Sequence, residues 1–233
     1  MESRFVVSQC KTAGVVFLGL VAAGAFWIAA VSSLAAQAPG PGGPGRAART
    51  PPPPPTAGAN LQIVDGSASY QVTEQLVGID FPNQAIGAST AVTGNLDIAP
   101  DGSIAPGSKL TVDLRDLKSD QEMRDNYIQK RTLQTDQYPM AVFVPTKIEG
   151  MPKMIPWEGQ TGVELSGDLT VHGVTKPVTF QGIATFGRDG TVAGRATTSF
   201  DFATFGLTKP SIARLMSVGD KIDLNVTFKF KRD

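Results

Sequence analysis

Apolar and polar positions alternate along most of this chain from residue 61 onward. The clearest run covers residues 221–231. Ile222, Leu224, Val226, Phe228 and Phe230 alternate there with Lys221, Asp223, Asn225, Thr227, Lys229 and Lys231. A period of two places the first set on one face of a strand and the second set in water. The same period predicts strands over 67–77 (Tyr70, Val72, Leu76), 87–98 (Val92, Leu96, Ile98) and 109–115 (Leu110, Val112, Leu114). It predicts others over 140–148 (Val142, Phe143, Val144, Ile148), 163–171 (Val163, Leu165, Leu169, Val171), 178–186 (Val178, Phe180, Ala184, Phe186) and 191–202. Turn signals at Ala99-Pro100-Asp101-Gly102 and Gly187-Arg188-Asp189-Gly190 punctuate the series. Many short strands with turns between them indicate an antiparallel sandwich or barrel. Eight strands can close around one small ligand.

Two segments depart from simple alternation. In Gly167-Asp168-Leu169-Thr170-Val171-His172-Gly173-Val174-Thr175-Lys176-Pro177-Val178-Thr179-Phe180, one strand ends near Val171 and the next starts near Pro177. The connection spans 172–177, with Gly173 free to take a positive φ. Ser119-Asp120-Gln121-Glu122 has the form of a capping box, with Met123, Tyr127 and Ile128 on one helical face behind it. This predicts a helix to about Thr132, ended by the turn residues Thr135 and Asp136 and by Pro139. A helix between two barrel strands packs at the side or the mouth. Together with 133–139 it is expected to form a lid over a cavity.

The first 38 residues differ from the rest. Arg4 and Lys11 give a basic start, and 12–34 carry no charge. Small residues then lead to Ala36-Gln37-Ala38, the order of a secretory signal. The uncharged run is also long enough to span a bilayer, and Pro39 sits poorly after a cleavage site. Two readings therefore stand: a cleaved signal peptide, which the order of features favours, or an uncleaved signal anchor. Either one exports the remainder to the periplasm or beyond, with a tether to the inner membrane in the second case. Residues 39–59 are rich in Pro and Gly and read as a linker. Its extended proline stretches would reach on the order of 60 Å. A plain spacer is favoured over a proline-rich docking ligand.

Composition narrows the chemistry of the remaining domain, residues 60–233. Over the whole chain Lys and Arg number 21, as do Asp and Glu, so no basic footprint points to nucleic acid. The single Cys, Cys10, lies ahead of the apolar run, which leaves the domain without thiol or disulfide chemistry. His172 is the only histidine. A zinc site of the usual kind is nearly excluded, and any triad would rest on His172 alone. Asp168 is the only nearby carboxylate for an acid–base pair. A turn residue facing solvent is the favoured reading of His172, and no metal or organic cofactor is expected.

Four segments, in order, carry a family resemblance. Gly167 to Val178 resembles the signature GxLTIxGVTKPV of the YceI-like family. Leu117-Lys118-Ser119-Asp120 with Arg124-Asp125 resembles its sLxSdnxxRD helix start. Tyr138-Pro139-Met140-Ala141-Val142-Phe143 resembles its xFPxaxF strand, and Phe205-Gly206-Leu207 near Val218-Gly219-Asp220 resembles its DFGI…VGDxV end. The resemblance covers roughly residues 61–231. It implies an eight-stranded, extended lipocalin-like antiparallel barrel of a periplasmic protein that binds isoprenoid lipids. The chain departs from the family at its first strand, Leu61-Gln62-Ile63-Val64-Asp65-Gly66-Ser67, which lacks the Trp and His found in many members. Any head-group contact carried over from that strand is in doubt.

These readings define an expected site. The apolar wall would comprise Val112, Leu114, Phe143, Leu165, Leu169, Phe180, Phe200, Phe202, Leu224, Val226 and Phe228, around an isoprenoid chain such as a polyprenol derivative or quinone tail. Met123, Arg124, Asp125, Tyr127 and Ile128 would form the lid. For each wall residue, filling a solid core is an equal alternative. Arg124 and Asp125 read more readily as a pair fastening the helix to the barrel than as a head-group latch. In the loop 150–159, Met151, Met154, Ile155 and Trp157 are expected to cover the core rather than touch a membrane or ligand. Storage or transport of a lipid, without catalysis, is the leading function. A stress or interaction protein with a filled barrel stands second, and a lipid-modifying enzyme third.

Overall fold

A computed structural model describes residues 50–233; the expected signal or anchor, Cys10 and the start of the linker lie outside these residues. The strands in chain order are β1 (Thr56–Ala57), β2 (Ala59–Leu76), β3 (Asn83–Ser89), β4 (Val92–Ile98), β5 (Lys109–Asp113) and β6 (Lys118–Ser119). After α1 (Glu122–Tyr127) come β7 (Met140–Glu149), β8 (Met154–Ile155), β9 (Gly159–Val171), β10 (Val174–Phe186), β11 (Thr191–Asp201), β12 (Leu215–Val218) and β13 (Lys221–Arg232). Eight of them form one antiparallel ring, in the order β13-β11-β10-β9-β7-β5-β4-β2, which closes where β13 returns to β2. The barrel is therefore closed and mainly β, with one helical stretch of 11 residues.

The long strand β2 sets the height of the barrel. Its first residues pair with β4, Leu61 to Gln71 with β13, and its second half with β3 and β12. One end of the barrel therefore lies near Ala59 and the other near Leu76. Two apolar clusters follow from this. Leu61, Leu96, Ile98, Phe186, Val192 and Phe230 pack at the first end. Val72, Leu117, Leu133, Phe143, Phe180, Phe202 and Phe205 pack at the second.

Several expected boundaries move, each for a local reason. The predicted strand 87–98 is broken into β3 and β4 at Ser89. Its buried hydroxyl donates to the Asp113 carbonyl (2.8 Å) and accepts from the Ala91 amide (3.2 Å), displacing ladder bonds. The strand predicted over 109–115 stops at Asp113, whose carboxylate caps a 3₁₀ turn, Leu114–Asp116. Residues 191–202 likewise end as strand at Asp201, and Phe202–Phe205 form a 3₁₀ turn that buries Phe205 completely. The hairpin after β9 is not six residues but two, His172 and Gly173, with φ of 53° and 75°. This is the turn type whose twist suits a hairpin. Gly173 is required twice over, since a Cβ there would also press on the Tyr138 ring. Pro177 lies inside β10, where pairing with β11 begins only at Gln181 and an absent N–H is tolerated.

The capping box does not form. The Ser119 amide and hydroxyl both donate to the Asp125 carboxylate (2.8 and 2.6 Å), and Gln121 occupies the N-cap without a side-chain bond. The helical course still reaches Thr132, because a π-helical turn, Ile128–Thr132, continues α1. The expected linker also ends earlier than residue 59. Thr56 and Ala57 pair with Ile155 and Met154, the Pro54 carbonyl accepts from the Trp157 indole (2.9 Å), and the Thr50 carbonyl accepts from Arg188 (3.0 Å). The loop 150–159 thus seals the Ala59 end, with Ile155 only 1% exposed in its core. The Arg232 guanidinium stacks on Trp157 at 4.3 Å, and burial lowers its pKa.

Candidate functional site

An elongated cavity of about 560 Å³ runs inside the barrel between the two clusters. That volume falls within the range of small-molecule sites. All eleven expected wall residues line it: Val112, Leu114, Phe143, Leu165, Leu169, Phe180, Phe200, Phe202, Leu224, Val226 and Phe228. Leu114 and Phe202 reach it from 3₁₀ turns rather than from strands. The barrel is therefore not filled by its own side chains. Small residues make the space. Ala196 on β11 pairs with Val226 on β13, which pairs with Ala68 on β2, and all three face the cavity.

The cavity opens at one end. Its exposed lining residues, among them Val77, Ile79, Met123, Ile212 and Arg214, all lie near α1 and the Leu76 end of β2. The helix crosses this mouth, where Met123, Arg124, Tyr127 and Ile128 line the opening. Asp125 does not line it; its carboxylate is turned back onto Ser119. Arg124 and Asp125 are not a pair with each other, but each fastens the helix. Arg124 Nη2 meets Glu74 Oε1 on β2 at 2.8 Å, and its other nitrogen bonds Asp120. Gln129 donates to the Arg115 and Leu117 carbonyls (3.1 and 2.9 Å), and the Tyr127 hydroxyl accepts from the Ser211 amide (3.4 Å).

Sequence periodicity missed the polar part of the mouth. Tyr70, Val72 and Glu74 follow one another on the inward face of β2, and Tyr70 and Glu74 line the cavity beside Arg124. Asn83 also donates to Glu74 (3.3 Å). A Glu on an inward row looks like a slipped register; the signal that identifies it is the matching cation in the helix. The Tyr70 ring packs against Gly87, where a Cβ would lie 2.5 Å from it.

Burial pushes the Tyr70 phenol up to about 12, partly offset by the nearby Arg124 cation. A raised folded pKa favours the neutral phenol, so its stabilisation is complete below pH 10 and is lost as pH rises through 12. Alkaline denaturation followed by circular dichroism is expected to show a loss of stability in that window, which Tyr70→Phe removes. An unchanged alkaline limb in Tyr70→Phe would contradict the burial of this hydroxyl.

His172 is half-buried rather than solvent-facing. Its ring packs edge-on against Tyr138, with centroids 4.8 Å apart, and its Nε2 has no partner among the described residues. No hydrogen bond joins it to Asp168, and it does not line the cavity.

An eight-stranded antiparallel barrel closed around an apolar cavity belongs to the class of barrels that can enclose one small molecule. Within that class the chain belongs to the YceI-like family, whose YceI-like domain matches residues 64–230. A UPF0312 protein of Pseudomonas putida (strain GB-1) is 35% identical over 137 residues, 54% of this chain and 64% of that protein. A UPF0312 protein of Pseudomonas syringae pv. tomato (strain ATCC BAA-871 / DC3000) is 31% identical over 139 residues, 55% of this chain and 65% of that one. The match thus spans just under two thirds of these relatives. Among solved structures, a polyisoprenoid binding domain from Saccharophagus degradans superposes with a TM-score of 0.57 at 11% identity, covering 76% of this chain and 99% of that one. BcnA of Burkholderia cenocepacia gives 0.52 at 16%, covering 70% and 95%. At these identities the likeness is one of fold.

Proposed function

We propose that this protein is an exported carrier or store for an isoprenoid chain, held in the barrel with its head group at the polar mouth. The observation that carries this reading is the cavity itself. It is long, walled by apolar side chains, sealed at the Ala59 end by Ile155, and open at the end where Tyr70, Glu74 and Arg124 stand inside an apolar rim. Burying one five-carbon unit from water would contribute roughly 3 kcal/mol. A lipid arriving from a membrane is already dry, so most of that gain cancels and selectivity falls to cavity shape and the mouth. At the mouth, Arg124 is engaged by two carboxylates, Glu74 and Asp120, while Arg214 lines the opening from its exposed edge. With its charges balanced, the mouth offers no cationic excess for a diphosphate and suits a neutral head that accepts or donates hydrogen bonds, such as a quinone or an alcohol.

The Saccharophagus neighbour, described as polyisoprenoid binding, supports the ligand class, and the N-terminal sequence supports export. Catalysis has no support in the site, because His172 stands away from the cavity without a carboxylate partner. Whether the N-terminal segment is cleaved or kept as a tether is read from the mature N-terminus.

The test is native mass spectrometry of the protein purified from its exported form, with extraction and identification of the released lipid. The expected result is one isoprenoid with an uncharged head per barrel. A clean apo mass, unchanged after incubation with quinones and polyprenols, overturns the carrier reading and favours an interaction protein.

A further inference from the structure

The cavity mouth does not end in a polar collar. Val77 and Ile79 follow β2, Met123 stands on α1, and Ile212 precedes β12; all four line the opening and are also exposed to solvent. Phe81, in the same loop as Ile79, is 77% exposed, and Met123 is 76% exposed. The two loops form one surface, because the Val77 amide donates to the Arg214 carbonyl (3.0 Å). Exposed large apolar side chains gathered at one place mark an interaction site. This one is continuous with the cavity wall, so an apolar chain could pass from outside to inside without crossing water.

We propose that this rim docks on the surface of a lipid bilayer and inserts its apolar side chains among the lipids, opening the cavity directly to the membrane. Its purpose rests on the carrier reading above; its geometry does not. The charges nearby select the kind of surface. Arg124, Lys209 and Arg214 are offset by Glu74, Asp120 and Asp220, which are all in direct ion pairs with Arg124 or Lys209, and by Asp80 and Glu122. With no cationic excess, docking depends on apolar insertion and not on anionic lipid. The described N-terminal residues leave the rim clear. Thr50 and Pro54 are bonded to Arg188 and Trp157 at the sealed end.

Hydrogen exchange on the full chain, with and without vesicles of phosphatidylcholine alone, tests this. Amides of residues 77–81 and 211–214 are expected to slow when vesicles are added, while those of 150–159 do not change. The slowing persists in high salt and is lost in Phe81→Ser/Met123→Ser. Any N-terminal contribution is common to both proteins and does not produce the difference. The proposal is overturned by rim amides that ignore vesicles, by slowing that requires anionic lipid, or by slowing that appears with rising protein concentration alone, which assigns the rim to a second copy of the chain. A rim that ignores vesicles on a protein that still carries lipid by mass spectrometry defeats the docking inference and leaves the carrier reading standing.

Discussion

Ala196→Trp is expected to empty the barrel of lipid without unfolding it. Ala196 sits on β11 beside Val226 and, across that strand, Ala68, and these small side chains leave the middle of the cavity open. Adding a large side chain to a packed core costs about 1–3 kcal/mol through strain. Here the indole enters space that already exists, so that strain is avoided and apolar area is gained. The channel is cut in two between its sealed end and its mouth, and no extended chain fits past the block. Native mass spectrometry is expected to show the variant without its lipid and with a melting temperature close to that of the parent. Thr197→Trp, one residue on and on the exposed outer face, is the control and keeps the lipid. Stoichiometric lipid in the Ala196 variant would mean that the ligand binds somewhere other than this cavity.

That experiment relies on a wall that could be read from the sequence. Alternation on eight segments names most inward residues, because a strand offers only two faces and a register error would invert a whole row. Ile222 to Phe230 on β13 is the plainest case. The features that escaped depend on partners distant in sequence. Ser89 breaks a strand because the Asp113 carbonyl lies within reach. The Ser119 capping box fails because Asp125, not Glu122, takes the Ser119 amide, and the Ser119 hydroxyl oxygen accepts from the Gln121 amide ahead of the helix. Glu74 turns inward because Arg124, fifty residues later, meets it there. Local pattern cannot weigh such pairings, and they are concentrated at the mouth. The sealed end shows the same limit: Ile155 looks like an isolated apolar residue in a Pro-rich loop, and only the fold reveals that it plugs the barrel.

The Glu74–Arg124 pair leads to the second large effect. Arg124→Met is expected to destabilise the protein by about 3–5 kcal/mol, the usual consequence of removing one partner from a buried ion pair. The side chains are 9% and 17% exposed, and without the guanidinium the Glu74 carboxylate keeps only the long Asn83 bond. The loss of the Asp120 contact adds little, because that carboxylate is 69% exposed. For a domain of this size the melting temperature should fall by roughly 10 °C. Glu74→Leu/Arg124→Met removes the stranded charge as well, and a buried pair replaced by apolar groups is often no less stable than the original. Thermal melts of the parent, the single variant and the double variant therefore separate two roles. The double variant is expected to recover the melting temperature and still take up an isoprenoid chain, yet to lose its preference for a chain that ends in a hydrogen-bonding head. If the single variant melts with the parent, Arg124 does not hold the helix to β2. If the double variant recovers its stability and its head-group preference together, the mouth pair is structural only, and selectivity rests with Tyr70 and the shape of the cavity.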